Sequence, residues 1–321
     1  DPVTWFRLAF SRYTRIEAFQ ELLDKRLFAN STFASLDRSD GPLVVLNATD
    51  MGSEEVYSFT SDRFNDICSD ISSLPISVGV AASAAFPVAL SPMSLKNYSG
   101  PSCVGNVPMP GWVKNDLQRV APRYIDVEEF KRARYANALR HGADSFREID
   151  YLHLLDGGLA DNQGAHSLSE TIISPHSAIN LLNAINTATV RRIVVISVNA
   201  RSDQDTGVSK DPAVPGLLKV IGAVTSIPID STTAYSNTSL QLLIDTLNQA
   251  GIGAQRNSDG SPLFEGLSVY PISIDFDQLR ADQSALRDNV KSIGTSWNLT
   301  PELRATTKSV GAILLRQHPC S

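Results

Sequence analysis

A carboxylate followed by two glycines, in the stretch LLDGGLADNQG at residues 154–164, is the feature of this sequence that most suggests chemistry. The apolar residues before Asp156 predict a buried strand, and the pair Gly157 and Gly158 predicts a turn too tight for side chains. Asp156 is therefore expected at the carboxyl end of a strand, where open parallel sheets bind their ligands. A carboxylate there can act as a general base, although capping of the next helix or turn is the simpler alternative.

The segments before this strand predict the elements that position it. Residues 42–50 and 55–60 have strand patterns, and the turn-forming residues between them predict a hairpin. The segment 75–92 is rich in small residues and contains prolines, which predicts a tightly packed helix followed by extended chain. A capped helix is predicted at 126–142, because the segment is acidic at its start and basic towards its end.

A crossover connection is predicted after Asp156. A helix is expected from residue 165 to 188, and the β-branched run at 193–198 is typical of a strand buried on both faces. Strand, helix and strand in this order indicate a βαβ unit, so we predict an α/β fold with a mainly parallel sheet flanked by helices. The prediction ends with an edge strand containing Pro271 and with additional C-terminal helices around 239–251, 277–290 and 300–317.

Three motifs follow one another along the chain: Ala48-Thr49-Asp50, Ala82-Ser83-Ala84-Ala85-Phe86-Pro87 and Asp156-Gly157-Gly158. Together they resemble the second half of the patatin-like phospholipase family, in which an A-S-x-A-x-P segment precedes an apolar strand ending in D-G-G or D-G-A. The similar context extends from residue 43 to residue 200, and it implies a patatin-like α/β fold.

The resemblance implies a lipid acyl hydrolase, a serine esterase of lipid degradation that uses a Ser–Asp dyad without histidine. Asp156 would be the base that activates the serine and later the water, while Gly157 and Gly158 would let the substrate approach closely. The family also implies a phospholipid or other acyl-ester lipid as substrate, a peripheral contact with a membrane surface, no cofactor and no obligatory metal.

The nucleophile motif of the family is absent from this sequence. The family serine lies in G-x-S-x-G after a glycine-rich oxyanion loop, and no serine here has that context. We therefore expect a C-terminal portion of a larger hydrolase, a single domain over 1–321 that lacks its first strand and nucleophile elbow. An upstream segment of the same protein would carry the serine. The alternative is a non-catalytic patatin-like protein that binds lipid or acts as a scaffold.

Three other side chains near the motifs are weaker candidates. Ser83 could replace the missing nucleophile, but the small residues around it are better explained by close packing. Asn162 is expected to cap the helix that begins near Gly164. His153 is expected on the strand face opposite Asp156, as a packed side chain rather than a base. An unrelated nucleotide-binding α/β domain is a further alternative, which the missing phosphate-binding glycine motifs oppose.

The composition of the 321 residues, with 42% hydrophobic and 19% charged, is that of a globular protein. A net charge of -6 gives no basic footprint for nucleic acid, which is excluded as a partner. No apolar run reaches the roughly 18 residues of a membrane span, so a soluble or peripheral protein is predicted without assignment of a compartment. Glycines and prolines between 96 and 123 predict a loop that controls substrate access.

The three cysteines, Cys68, Cys103 and Cys320, have the spacing neither of a zinc site nor of a dense disulfide framework. A disulfide between Cys68 and Cys103 is left open. Five Asn-x-Ser/Thr sequons would matter only in a secretory eukaryotic context; they lie at Asn30, Asn47, Asn97, Asn237 and Asn298.

Overall fold

The computed structural model forms two compact units, Asp1–Asn162 and Gln163–Ser321. The described residues are 13–37, 41–87, 89–99, 103, 111–118, 127–140, 149–173, 185, 190–202, 214–252, 264, 266–294 and 298–317. Most of the loop predicted at 96–123 lies outside these residues, and so does Cys320. The single domain predicted over 1–321 stays a prediction.

The first unit contains a four-stranded antiparallel sheet with the strand order β2-β1-β4-β3. Its strands are β1 (Asn47–Asp50), β2 (Glu55–Ser58), β3 (Met93–Lys96) and β4 (Tyr151–Asp156). The α-helices described in this unit are α1 (Arg15–Leu23), α2 (Ser61–Asp66), α3 (Ile76–Ser83), α4 (Gly111–Leu117), α5 (Val127–Leu139) and the short α6 (Gly158–Asp161).

Most local predictions for this unit are confirmed. The predicted hairpin is β1 and β2, with Asp50 paired to Glu55 next to the turn. The predicted small-residue helix is α3, and the helix predicted at 126–142 is α5. Strand β4 ends at Asp156, which lies opposite Ala48 of β1. The candidate carboxylate therefore lies where the sequence predicts, at the carboxyl end of a strand.

The direction of strand pairing around β4 differs from the prediction. Strand β4 pairs antiparallel with both β1 and β3, and the predicted parallel crossover from β4 to the next strand is not formed among the described strands. A run of apolar residues predicts a strand but carries no information on the direction of its neighbours, which long-range packing decides. The mixed α/β class is correct, and the mainly parallel sheet is not found in this unit.

Aromatic rings and alanines form the core of the first unit. Phe33 and Phe59 stack with their ring centroids 5.9 Å apart, and Tyr57 meets Phe59 edge to face at 5.8 Å. Helix α3 packs against β1 and β4, and Ala82 at this interface is fully buried. Small side chains on α3 thus let the helix backbone approach the end of β4 closely.

Two cross-links lie near the end of α2. A disulfide joins Cys68 to Cys103, whose Cα atoms lie 5.9 Å apart, which settles the pairing that the sequence leaves open. The Arg140 guanidinium, at the end of α5, donates from Nε to the Asp66 carboxylate at 2.6 Å, and Asp66 is buried while Arg140 is partly buried. Burial raises the pKa of Asp66 more than its bond to Arg140 lowers it.

The sequon residue Asn97 is part of the fold's hydrogen bonding. Its side-chain amide donates to the carbonyl oxygens of Leu139 and Ile149 at 2.7 and 2.6 Å. Its Oδ1 accepts the Ser99 backbone N–H at 2.9 Å, and the whole residue is buried. The side chain of Asn97 therefore ties β3 to the end of α5 and to the residues before β4.

The second unit contains a two-stranded parallel sheet of β5 (Arg192–Asn199) and β6 (Ser268–Asp275). Its α-helices, among the described residues, are α7 (Ala165–Ile173), α8 (Leu217–Ile252), α9 (Ser284–Lys291) and α10 (Pro301–Gln317). The parallel pairing predicted for the strand at 193–198 thus occurs with β6, which is the predicted late strand that contains Pro271. The helix predicted at 165–188 is confirmed as far as Ile173, and the helix predicted from 239 begins much earlier, at Leu217.

The core of the second unit covers one face of this sheet. Leu240, Ile244 and Leu247 of α8 are buried in one cluster with Val195 of β5 and Val269 of β6. The part of α8 that packs in the core is therefore its carboxyl-terminal part.

The opposite face of β5 is exposed. Val194, Ile196 and Val198 alternate with the buried Val195 and are all exposed. The prediction that residues 193–198 are buried on both faces is therefore wrong, because the described helices of this unit leave one face of the pair uncovered.

Candidate active site

Asp156 is held at the end of β4 by backbone and side-chain hydrogen bonds. Its N–H donates to the carbonyl oxygen of Ala85 at 3.0 Å, and its own carbonyl oxygen accepts the Thr49 hydroxyl at 2.8 Å. Ala85 and Thr49 belong to the two other sequence motifs that carry the resemblance, and their hydrogen bonds fix the backbone of Asp156. The carboxylate consequently projects from a rigid position rather than from a free loop.

The Asp156 carboxylate has one oxygen occupied. Oδ1 accepts the Gly158 backbone N–H at 2.8 Å, and Oδ2 has no hydrogen-bond partner among the described residues. Burial raises the pKa of Asp156, and the bond from Gly158 lowers it by less. A partly buried carboxylate with a raised pKa and one free oxygen has the properties of a general base.

The two glycines after Asp156 meet different neighbours. A Cβ on Gly157 would lie 2.4 Å from the carbonyl oxygen of Asn47, so the backbone of β1 leaves no room for a side chain there. A Cβ on Gly158 would lie 2.8 Å from Oδ1 of Asn162 and 3.0 Å from Oδ1 of Asp156. Gly157 is therefore required by the fold, and a side chain at Gly158 would collide with Asn162 and with the Asp156 carboxylate.

Asn162 lies against Gly158, close to the carboxylate, rather than serving only the helix that follows. It is exposed, and the described residues show no side-chain cap from it to α7. Asn162 therefore lies closer to Asp156 than its predicted role as a helix cap implies. An amide at this position can bind a polar group of a substrate.

Ser83 lies at the site through its backbone. Its carbonyl oxygen, at the end of α3, accepts the Gly157 N–H at 3.1 Å. No hydrogen bond joins the Ser83 hydroxyl to Asp156 in the part of the chain that the structure describes. The three motifs that carry the resemblance are thus brought together in space, and the Ser83 carbonyl oxygen positions the turn after β4.

A buried carboxylate that the sequence offered only as part of a strand motif, Asp50, anchors β1. Its side chain accepts the Gly52 N–H and the Ser53 hydroxyl, each at 3.1 Å, and also the Tyr135 hydroxyl. Burial, and next the charge of Asp50, raises the pKa of Tyr135, which therefore remains a protonated donor at neutral pH. These bonds join the hairpin turn to α5 and so brace β1, whose Thr49 hydroxyl binds the carbonyl oxygen of Asp156.

His153 lies on the face of β4 opposite the buried side chains, as predicted, but it is exposed rather than packed. Its Nδ1 lies 2.8 Å from the Ser94 hydroxyl oxygen on the neighbouring strand. The pair belongs to the outer surface of the sheet, and neither residue takes part in the hydrogen bonds around Asp156.

Comparisons with family models, with curated proteins and with solved structures find no match to this chain. Among the described residues, no group of three or more His, Cys, Asp or Glu side chains is arranged to hold a metal ion. The helices of the described ranges also include none with the length and apolar character needed to cross a bilayer.

Proposed function

We propose that this chain supplies the aspartate base of a patatin-like lipid acyl hydrolase. The observation that carries the proposal is Oδ2 of Asp156, which is free among the described residues on a carboxylate with a raised pKa at a rigid strand end. The convergence of Ser83, Ala85 and Gly157 at that strand end supports it, because the motifs that resemble the family meet there.

The proposed reaction has two steps. Asp156 accepts the proton of a serine hydroxyl as that oxygen attacks the carbonyl carbon of a lipid ester, and the proton then passes to the departing alcohol. In the second step Asp156 takes a proton from water, whose oxygen attacks the acyl-serine; the bond to the serine oxygen breaks, that oxygen receives the proton from Asp156, and the fatty acid is released. The oxygen that takes the proton is Oδ2 of Asp156, because Oδ1 is occupied by the Gly158 N–H.

The nucleophilic serine is proposed to lie on an upstream segment of the same protein, because none of the serines in these 321 residues has the G-x-S-x-G context. The exposed apolar face formed by Val194, Ile196 and Val198 supports such a partner segment. Strands in parallel sheets are normally covered on both faces, so β5 and β6 have the character of part of a larger parallel sheet.

The test is hydrolysis of a fatty acyl ester by a polypeptide that extends this sequence upstream through the serine. Asp156→Asn should lower kcat/KM by about 10²- to 10⁴-fold, the usual contribution of a general base. Asp150→Asn is the matched control, since Asp150 is an exposed aspartate immediately before the same strand. Unchanged hydrolysis after Asp156→Asn would refute the proposal.

A non-catalytic lipid-binding or scaffolding protein is the second candidate. The observation that favours it is the lack of a serine hydroxyl bonded to Asp156 among the described residues. Reaction with a fluorophosphonate, followed by intact-mass measurement, separates the two candidates. One adduct on the extended polypeptide supports the hydrolase, and no adduct on a folded sample supports the scaffold.

A further inference from the structure

The first two thirds of α8 lie outside the core of the second unit. None of the described side chains from residue 217 to residue 239 is buried, and the first buried one is Leu240. At about 1.5 Å per residue these residues form roughly 35 Å of helix without core packing. Helices in proteins gain most of their stability from packing against other surfaces, so we expect this part of α8 to pack against a surface outside the second unit's core.

Exposed apolar side chains form one stripe along this helix. They lie at Leu217, Val220, Val224, Ile227, Tyr235 and Leu242, and each is exposed, with 74% of Leu217 and 65% of Ile227 accessible to solvent. At about 100° per residue they fall within roughly 80° of arc. Leu240, Ile244 and Leu247, which pack into the core, lie on the opposite side of the same helix. The stripe therefore points away from the second unit's own core.

The polar groups beside the stripe are largely satisfied within the helix. The hydroxyls of Thr225 and Thr232 donate to the carbonyl oxygens of Gly222 and Pro228 at 2.8 and 2.7 Å. Hydroxyls bonded back to the helix tolerate an apolar surrounding better than hydroxyls that need water, because no donor is left unpaired. The side chains next to the stripe are thus compatible with an apolar medium.

Charge is scarce along the stripe. Lys219 is the one charged residue in the sequence from 217 to 229. The first acid after it, Asp230, is paired with Arg201 at 2.6 Å. A surface of this kind has no charge with which to select a charged protein partner or an anionic lipid.

A second copy of the chain is a poorer occupant. The stripe begins with coiled-coil spacing, but the positions that would continue the heptad seam are Ser231, Ala234 and Thr238, of which the first and last are polar. A two-stranded seam needs apolar residues over three or four heptads, and the apolar part here is shorter.

We propose that the apolar stripe of α8 is a docking surface for an uncharged lipid bilayer, on which the helix lies in the plane of the interface. This inference rests on the proposed lipid substrate for its biological sense and names the element that brings the protein to the membrane. The aliphatic side chains enter the boundary between headgroups and acyl chains, while the opposite side of α8 remains packed on the second unit.

The test is co-sedimentation with phosphatidylcholine vesicles. The chain should bind the vesicles, and the binding should change little between low and physiological salt because the stripe is uncharged. The triple substitution Val220→Ser, Val224→Ser and Ile227→Ser should weaken the partition coefficient by about tenfold or more.

The matched control is Val194→Ser with Ile196→Ser, which removes exposed β-branched residues of the same kind from β5 and should leave vesicle binding unchanged. Circular dichroism and a urea transition show whether each variant is folded. Absence of vesicle binding by the folded wild-type chain overturns the inference. So does light scattering that shows a dimer which the triple substitution makes monomeric.

Measuring vesicle binding and ester hydrolysis separately distinguishes this inference from the proposed function. Vesicle binding with no ester hydrolysis by the extended polypeptide supports the docking surface and refutes the hydrolase. Hydrolysis of a soluble short-chain ester without vesicle binding refutes the docking surface and supports the hydrolase. Asp156→Asn itself should lower kcat/KM for the ester by about 10²- to 10⁴-fold and leave the vesicle partition unchanged.

Discussion

The backbone at Gly157 runs so close to β1 that a methyl group has no room. An alanine Cβ at this position would lie 2.4 Å from the Asn47 carbonyl oxygen. An ordinary carbon–oxygen contact is about 3.3 Å or longer, so Gly157→Ala must separate the two backbones by roughly 0.9 Å. Neither atom belongs to a flexible side chain that could rotate away.

This separation should lower both stability and activity. Overpacking of a fixed site costs about 1–3 kcal/mol of the free energy of unfolding. For a unit of this size that corresponds to a fall in Tm of roughly 2–12 °C. Asp156 precedes Gly157 directly, and a displacement of about 1 Å in a catalytic group can cost about 10²-fold in rate.

Thermal unfolding measured by near-UV circular dichroism tests the stability part, and ester hydrolysis by the extended polypeptide well below Tm tests the activity part. Gly311→Ala is the control, because among the described residues nothing outside its own helix backbone and chain neighbours lies within 4 Å of the added Cβ, and alanine favours the α10 helix. An unchanged Tm for Gly157→Ala would show that the close approach to β1 does not exist.

Two further predictions concern buried charges. Arg140→Met leaves the buried carboxylate of Asp66 unpaired and should lower the free energy of unfolding by about 3–5 kcal/mol at neutral pH. The double variant Arg140→Met with Asp66→Asn should lose less stability, because no charge is then left buried. Urea unfolding of the wild type, the single variant and the double variant tests this order. Because burial raises the pKa of Asp156 in the folded state, its contribution to stability is most favourable below the unfolded pKa of about 3.9 and is lost as pH rises through the folded pKa. The difference in urea midpoint between Asp156→Asn and the wild-type protein should therefore be more favourable to the variant at pH 7 than at pH 3. An equal difference at both pH values would contradict the pKa shift.

The position of Asp156 was predictable because its signals are local. An apolar run followed by two glycines defines both the end of β4 and the turn after it, and the alternation at 55–60 defines the hairpin in the same way. The directions of the strands were not predictable, since the pairing of Asp156 with Ala48 joins residues that are far apart in sequence.

The supports of the site were missed for the same reason. The sequence motif that contains Thr49 and Asp50 does not predict their partners. Their hydrogen bonds to Asp156 and Tyr135 join residues that are far apart in the sequence. The predicted helix is shorter than α8 because the sequence from 217 to 238 has no core-facing pattern.

The burial of Asn97 has a consequence for how this protein can be made. Oligosaccharide transfer in a eukaryotic secretory pathway acts on asparagine side chains while the chain is still unfolded. A sugar attached to Asn97 would remove a donor hydrogen from an amide whose two hydrogens bind Leu139 and Ile149. Glycosylation and folding therefore compete for the same nitrogen atom, and a host without N-glycosylation is the appropriate source of native protein.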